Sequence, residues 1–118
     1  MMMQKVRELK KRHLNQLKKE LPRIKEELIK LGALKIILFG SAVRNELGLM
    51  SDIDLVVIIE SNKSYIERSV EIYKKIQPID VDLLIYTPYE FNHMSKENLF
   101  IQHILKEGKL IFERDEKT

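Results

Sequence analysis

Four aspartates stand in two short apolar runs of this 118-residue chain. Asp52 and Asp54 open residues 51–60, whose interior is otherwise Ile53, Leu55, Val56, Val57, Ile58 and Ile59. Asp80 and Asp82 stand in residues 79–86, between Ile79, Val81 and Leu83. If both runs are strands, residues i and i+2 point to one face, so Asp52 and Asp54 project together, about 6–7 Å apart. Asp80 and Asp82 would pair in the same way. A lone Asp-x-Asp is most simply a solvated strand end, but unpaired charge in so apolar a strand is costly. A divalent cation offsets the repulsion, and oxygen-only ligands suit Mg²⁺ or Mn²⁺ better than zinc. Two such ions about 4 Å apart can activate an attacking oxygen and neutralise a leaving pyrophosphate.

Gly40-Ser41 supplies a second element of such chemistry. A buried strand that ends in glycine and turns into a helix leaves backbone N–H groups at the helix start, where an anion is favoured. The Ser41 hydroxyl adds a donor, and Arg44, one turn on, brings a forked guanidinium to the same phosphates. Gly-Ser alone is an ordinary turn; its position after a buried strand and before the aspartates gives it weight. No Gly-Lys-Ser/Thr is present, so this is not a Walker loop.

These residues need elements to hold them. Apolar residues recur at helical steps over 6–31 (Val6, Leu9, Leu14, Leu17, Leu21, Ile24, Leu28, Leu31), with a kink or restart expected at Pro22 and a stop at Gly32. Residues 34–39 read as a buried strand, 41–47 as a short helix closed by Gly48, and 51–60 as the strongest strand. Residues 64–76 read as a helix with a Ser64/Glu67 capping box, and 79–86 as a third strand. Thr87-Pro88 predicts a further short helix. A last helix is expected over 95–106, with Leu99, Phe100, Ile104 and Leu105 on one side, before an edge strand at 110–112. The expected fold class is α/β (α+β): a small mixed sheet of three to four strands packed with helices. One domain is expected over 1–118, with an N-terminal helical segment at 1–32 and a core at 34–112.

Composition fits a globular domain: 44% apolar, 33% charged, no cysteine, and therefore no disulfide framework or thiolate metal site. No apolar stretch is long enough for a membrane span, and the N-terminal pattern is not that of a signal peptide, so a cytoplasmic location is expected. The formal charge of +3 is mild, and Lys and Arg alternate with Glu along helices, so nucleic acid is not the expected partner. His13, His93 and His103 lack ligand-like spacing and read as surface residues. Tyr65, Tyr73, Tyr86 and Tyr89 read as packing residues.

Gly40-Ser41, ten residues, then Asp52-Ile53-Asp54 resembles the signature of the DNA polymerase beta superfamily, and in particular its minimal nucleotidyltransferases. The surrounding residues agree: Leu38-Phe39-Gly40-Ser41 with Arg44, Ser51-Asp52-Ile53-Asp54-Leu55, and the run from Val81 to Pro88. The resemblance implies that Asp52 and Asp54 ligate two Mg²⁺ or Mn²⁺ ions, that Asp82 completes the catalytic and metal site with Asp80 as the alternative, and that Gly40, Ser41 and Arg44 hold the phosphates of ATP or another NTP. Asn45 stands where the family often has glycine; asparagine tolerates the same backbone conformation. The resemblance further implies transfer of AMP to an acceptor hydroxyl, with a tyrosine of a HEPN-type toxin, which the chain would silence as an antitoxin, as the implied acceptor. The other readings are a non-catalytic module that neutralises a partner by covering it, and transfer to a small molecule or an RNA end. The long N-terminal stripe leaves room for homo- or hetero-oligomers formed through helices.

Overall fold

The computed structural model describes residues 2–40 and 53–115. The chain opens on α1 (Met2–Lys30), a helix of 29 residues. Leu17, Ile24 and Leu28 are buried along it, with Glu20 in the same stripe, as the helical steps predict; the side chains of Val6, Leu9 and Leu14 lie outside the described residues. Helix α1 runs continuously through Pro22, so of the expected kink or restart the restart does not occur. Pro22 and Lys18, whose carbonyl loses its helical donor, both face solvent, where water can serve that carbonyl. Gly32, with φ of +104°, ends the helical region as expected.

Four strands follow: β1 (Lys35–Phe39), β2 (Ile53–Ile58), β3 (Val81–Tyr86) and β4 (Lys109–Glu113). They form one sheet in the order β3-β2-β1-β4. Strand β1 is antiparallel to both β2 and β4, whereas β2 and β3 are parallel. The parallel pair needs a crossover, and α2 (Tyr65–Ile76) provides it. Helices α3 (Pro88–Glu97) and α4 (Leu99–Glu107) lie between β3 and the edge strand β4. This is the mixed α+β sheet that the sequence predicts.

Strand alternation divides the core in two. Ile36, Leu38, Leu55, Val57, Leu83 and Ile85 pack with Leu17, Ile24, Leu28, Ile72 and Ile76 of α1 and α2. Ile37, Val56 and Ile58 pack on the other face with Phe91, Ile101 and Ile104 of α3 and α4, joined by Phe39, Leu84 and Tyr86. Burial on both faces explains why β2 reads as a continuous apolar run.

The caps follow the sequence closely. Ser64 Oγ accepts from the Glu67 N–H, one half of the capping box expected there, and Thr87 and Glu90 form a complete box with Pro88 in the first turn. Strand ends shift by one or two residues elsewhere, and two differences matter more. Strand β3 begins at Val81, not at Ile79. The expected helix over 95–106 is divided at Asn98, which ends α3 and caps α4 by accepting from the Phe100 and Ile101 N–H groups. Ile101 and Ile104 are therefore the buried pair, while Leu99, Phe100 and Leu105 are exposed, correcting the expected apolar side. The expected helix over 41–47 lies outside the described residues. No helix among the described residues is long and apolar enough to cross a membrane.

Candidate active site

Asp54 is the second residue of β2 and faces the α3/α4 side with Val56 and Ile58. Asp82 is the second residue of β3, and in the parallel register Asp54 pairs with Asp82. Paired positions on neighbouring strands share a face about 4.8 Å apart, so both carboxylates leave the sheet at one level and on one side. Asp54 is half-buried and Asp82 exposed. On the other flank of Asp54, the antiparallel register sets Phe39, the last residue of β1. Asp82, Asp54 and Phe39 thus form one row across three strands.

Gly40 follows Phe39 with φ of +98°, a region that side chains rarely adopt. A Cβ built on it would lie 2.8 Å from Asp54 Oδ2, closer than real contacts allow. The glycine therefore turns the chain away from β1 and leaves the space that the Asp54 carboxylate occupies. Ser41, Arg44 and Asp52, three of the residues singled out in the sequence, lie outside the described residues.

Asp80 does not share a strand face with Asp82 as the alternation argument expects. It precedes β3 in a left-handed conformation, φ +56°, and its carbonyl oxygen accepts from the Ile53 N–H at 3.4 Å. Its backbone thereby fastens the start of β2 to the approach to β3. Aspartate is among the residues that adopt this conformation at modest cost.

Two side chains of α2 fasten the backbone of β3: Tyr73, read from the sequence only as a packing residue, and Arg68, which that reading did not single out. Tyr73 of α2 accepts a hydrogen bond from the Leu83 N–H at 2.7 Å and donates one to the Leu83 carbonyl at 3.3 Å. Because β3 is an edge strand, these are the backbone groups left without a strand partner, and the phenol fixes the peptide immediately after Asp82. Burial pushes the Tyr73 phenol above its ordinary pKa, the Leu83 hydrogen bond opposes the shift, and the charges of Asp82, Tyr65 and Asp54 add to it. Arg68 is buried at 3% exposure and donates to Glu90 Oε1 at 2.7 Å, Glu90 Oε2 at 3.1 Å, Ile85 O at 2.8 Å and Lys63 O at 3.0 Å. Its position was legible: Arg68, Ile72 and Ile76 recur at steps of four, which places an arginine in the buried stripe of α2.

Could these residues hold a divalent cation? Among the described residues no group of three His, Cys, Asp or Glu side chains surrounds a common position. Two carboxylates at one level of a sheet, with the glycine opening beside one of them, do fit an oxygen-only ligand set, with Asp52 as the remaining candidate. His103 is exposed, as expected, but its ring lies 5.5 Å from that of Phe39 and so close to the row.

The family described as "Polymerase beta, Nucleotidyltransferase" matches residues 22–117. Among curated proteins there is no match. A Sulfolobus solfataricus protein, provisionally described as a nucleotidyltransferase and solved as a crystal structure, superposes with a TM-score of 0.59 at 19% identity, covering 83% of this chain and 81% of its own. That likeness bears on the fold. With the family match extending over most of the sequence, the chain belongs to the polymerase beta nucleotidyltransferase family.

Proposed function

We propose that this chain, acting as one domain over residues 1–118, transfers a nucleoside monophosphate from an NTP to an acceptor hydroxyl, with AMP from ATP as the leading case. The observation that carries the reading is the register of Asp54 with Asp82, beside a glycine that leaves room for the Asp54 carboxylate. In this reading Asp52, Asp54 and Asp82 hold one or two Mg²⁺ ions, with Mn²⁺ as a substitute. Gly40 and Ser41 receive the triphosphate with backbone and hydroxyl donors, and Arg44 pairs with its oxygens. The metal, when bound, lowers the charge on the transferring phosphoryl group and on the departing pyrophosphate. The carboxylates fix where the α-phosphate sits, so that the acceptor oxygen approaches in line with the bond that breaks. Asp80, bonded through its backbone to β2, is a support for the site in this account and not a ligand.

The proposed acceptor is a tyrosine hydroxyl of a HEPN-type toxin, which the chain silences as an antitoxin in the cytoplasm; this rests on the resemblance of the motif to minimal nucleotidyltransferases. Incubating the protein with ATP labelled at the α-phosphate, Mg²⁺ and the product of a neighbouring HEPN gene tests both levels. The expected result is label on a toxin tyrosine, lost on addition of EDTA and in Asp54→Asn. Label on RNA or a small molecule instead would keep the transferase and remove the antitoxin. Neutralisation of the toxin without label, unchanged in Asp54→Asn, would establish the non-catalytic binder.

A further inference from the structure

Beside the carboxylate row stands a group of rings that the proposed chemistry has not used. Phe39, register partner of Asp54, meets Phe100 with ring centroids 5.8 Å apart at 84° and His103 at 5.5 Å and 85°. Phe100 and His103 are three residues apart on α4 and so project from one side of the helix. Both are exposed, Phe100 to 47%. The buried contacts of α4 are made by Ile101 and Ile104 instead. In an edge-to-face pair, the ring that offers its edge keeps both faces uncovered by its partner. The rings of the trio meet at right angles and are not stacked face on face, and Phe100 and His103 keep exposed surface for a further contact.

Its place relative to the phosphate turn is fixed by the chain. Phe39 is bonded directly to Gly40 and stands one strand spacing from Asp54, two from Asp82. Two spacings are about 10 Å, the scale of one nucleotide. A nucleotide whose phosphates lie at Gly40 and the carboxylates has its base within reach of these rings, and a base is the part of an NTP that aromatic faces recognise. We propose that Phe39, Phe100 and His103 form the nucleobase subsite, with Phe100 and His103 as the contact residues and Phe39 as the ring that sets their positions. This proposal rests on the nucleotidyltransferase reading. Stacking accepts any base, so the subsite contributes affinity more than base selection.

The test compares Mg²⁺-dependent binding of ATP and of inorganic triphosphate by calorimetry, using the full chain and Phe100→Ala, His103→Ala and the double variant. Phe100→Leu keeps apolar bulk without the ring. Each alanine variant loses one edge-to-face contact with Phe39, so thermal melts should fall by only a few degrees and leave the protein folded at the titration temperature. The expected result is that ATP binding weakens about tenfold or more in the double variant, and measurably in Phe100→Leu, while triphosphate binding is unchanged. Equal ATP affinity in parent and double variant, or equal weakening of ATP and triphosphate, would overturn the subsite and leave the transferase reading intact. A parent protein that binds neither ligand would remove the nucleotidyltransferase reading and the subsite with it.

Discussion

A Cβ on Gly40 would stand 2.8 Å from Oδ2 of Asp54. The glycine and the aspartate are thus one feature: the backbone turn that ends β1 is the wall against which the carboxylate is placed. Gly40→Ala must both enter a positive-φ conformation, at a cost of about 1–3 kcal/mol, and push the Asp54 side chain aside. A lowered melting temperature is expected, together with a loss of nucleotidyl transfer larger than the stability change explains. Parent activity in folded Gly40→Ala would show that the placement of Asp54 is not critical.

Asp82 and Asp80 should separate cleanly. Asp82→Asn is expected to lower transfer by about a hundredfold or more, the scale seen when one group that stabilises developing charge is lost, with little change in unfolding. Asp80→Asn keeps a residue suited to φ +56° and should stay within severalfold of the parent, whereas Asp80→Val should destabilise the fold. Steady-state transfer rates and urea unfolding of the three variants check this; the reverse order for the two Asn variants would make Asp80 the third carboxylate.

Tyr73→Phe removes the partner of both backbone groups of Leu83. An expected loss of about 1–3 kcal/mol in urea unfolding follows from the orphaned backbone groups. Metal affinity should fall as well, since the peptide beside Asp82 is released. In the parent, the Tyr73 phenol should ionise later than an ordinary tyrosine in an ultraviolet pH titration, because burial raises its pKa first and the neighbouring carboxylates add to the effect.

Acid should loosen the contact between α2 and α3. The Glu90 carboxyl is held below its ordinary value, first by the hydrogen bond from Arg68, so the folded state binds its proton more weakly than the unfolded chain. Its contribution is whole above the ordinary glutamate range and is lost as pH falls through the lowered value. Unfolding free energy measured against pH should show this acid-side decline in the parent and less of it in Glu90→Gln. Arg68→Ala, which takes the donor from the Ile85 and Lys63 carbonyls while partly exposed Glu90 keeps the Thr87 N–H, should cost about 1–3 kcal/mol at neutral pH.

Much of the fold was legible because its strongest signals are local. The apolar run of β2, the Thr87-Pro88-Glu90 cap and the glycine stop after α1 each declare themselves within a few residues. What escaped depends on which residues face water, on which side chain caps, and on partners far away in sequence. Pro22 stays helical because the Lys18 carbonyl, which loses its donor there, faces water, and Asn98 divides a helical pattern because its side chain caps α4. The pairing of Asp54 with Asp82 depends on strand register, which alternation within one strand cannot supply. The Phe39–His103 contact requires α4 to fold back over the end of β1, so His103 looked like any surface histidine.

The central claim is that the carboxylates of β2 and β3, together with Asp52, bind an NTP through a divalent cation. Calorimetric titration of ATP into the protein with Mn²⁺, with EDTA, and into Asp54→Asn/Asp82→Asn with Mn²⁺ tests it most directly. Binding is expected with Mn²⁺ and should disappear with EDTA and in the double variant, whose melting temperature stays near that of the parent. ATP binding of equal affinity in all three titrations would contradict it.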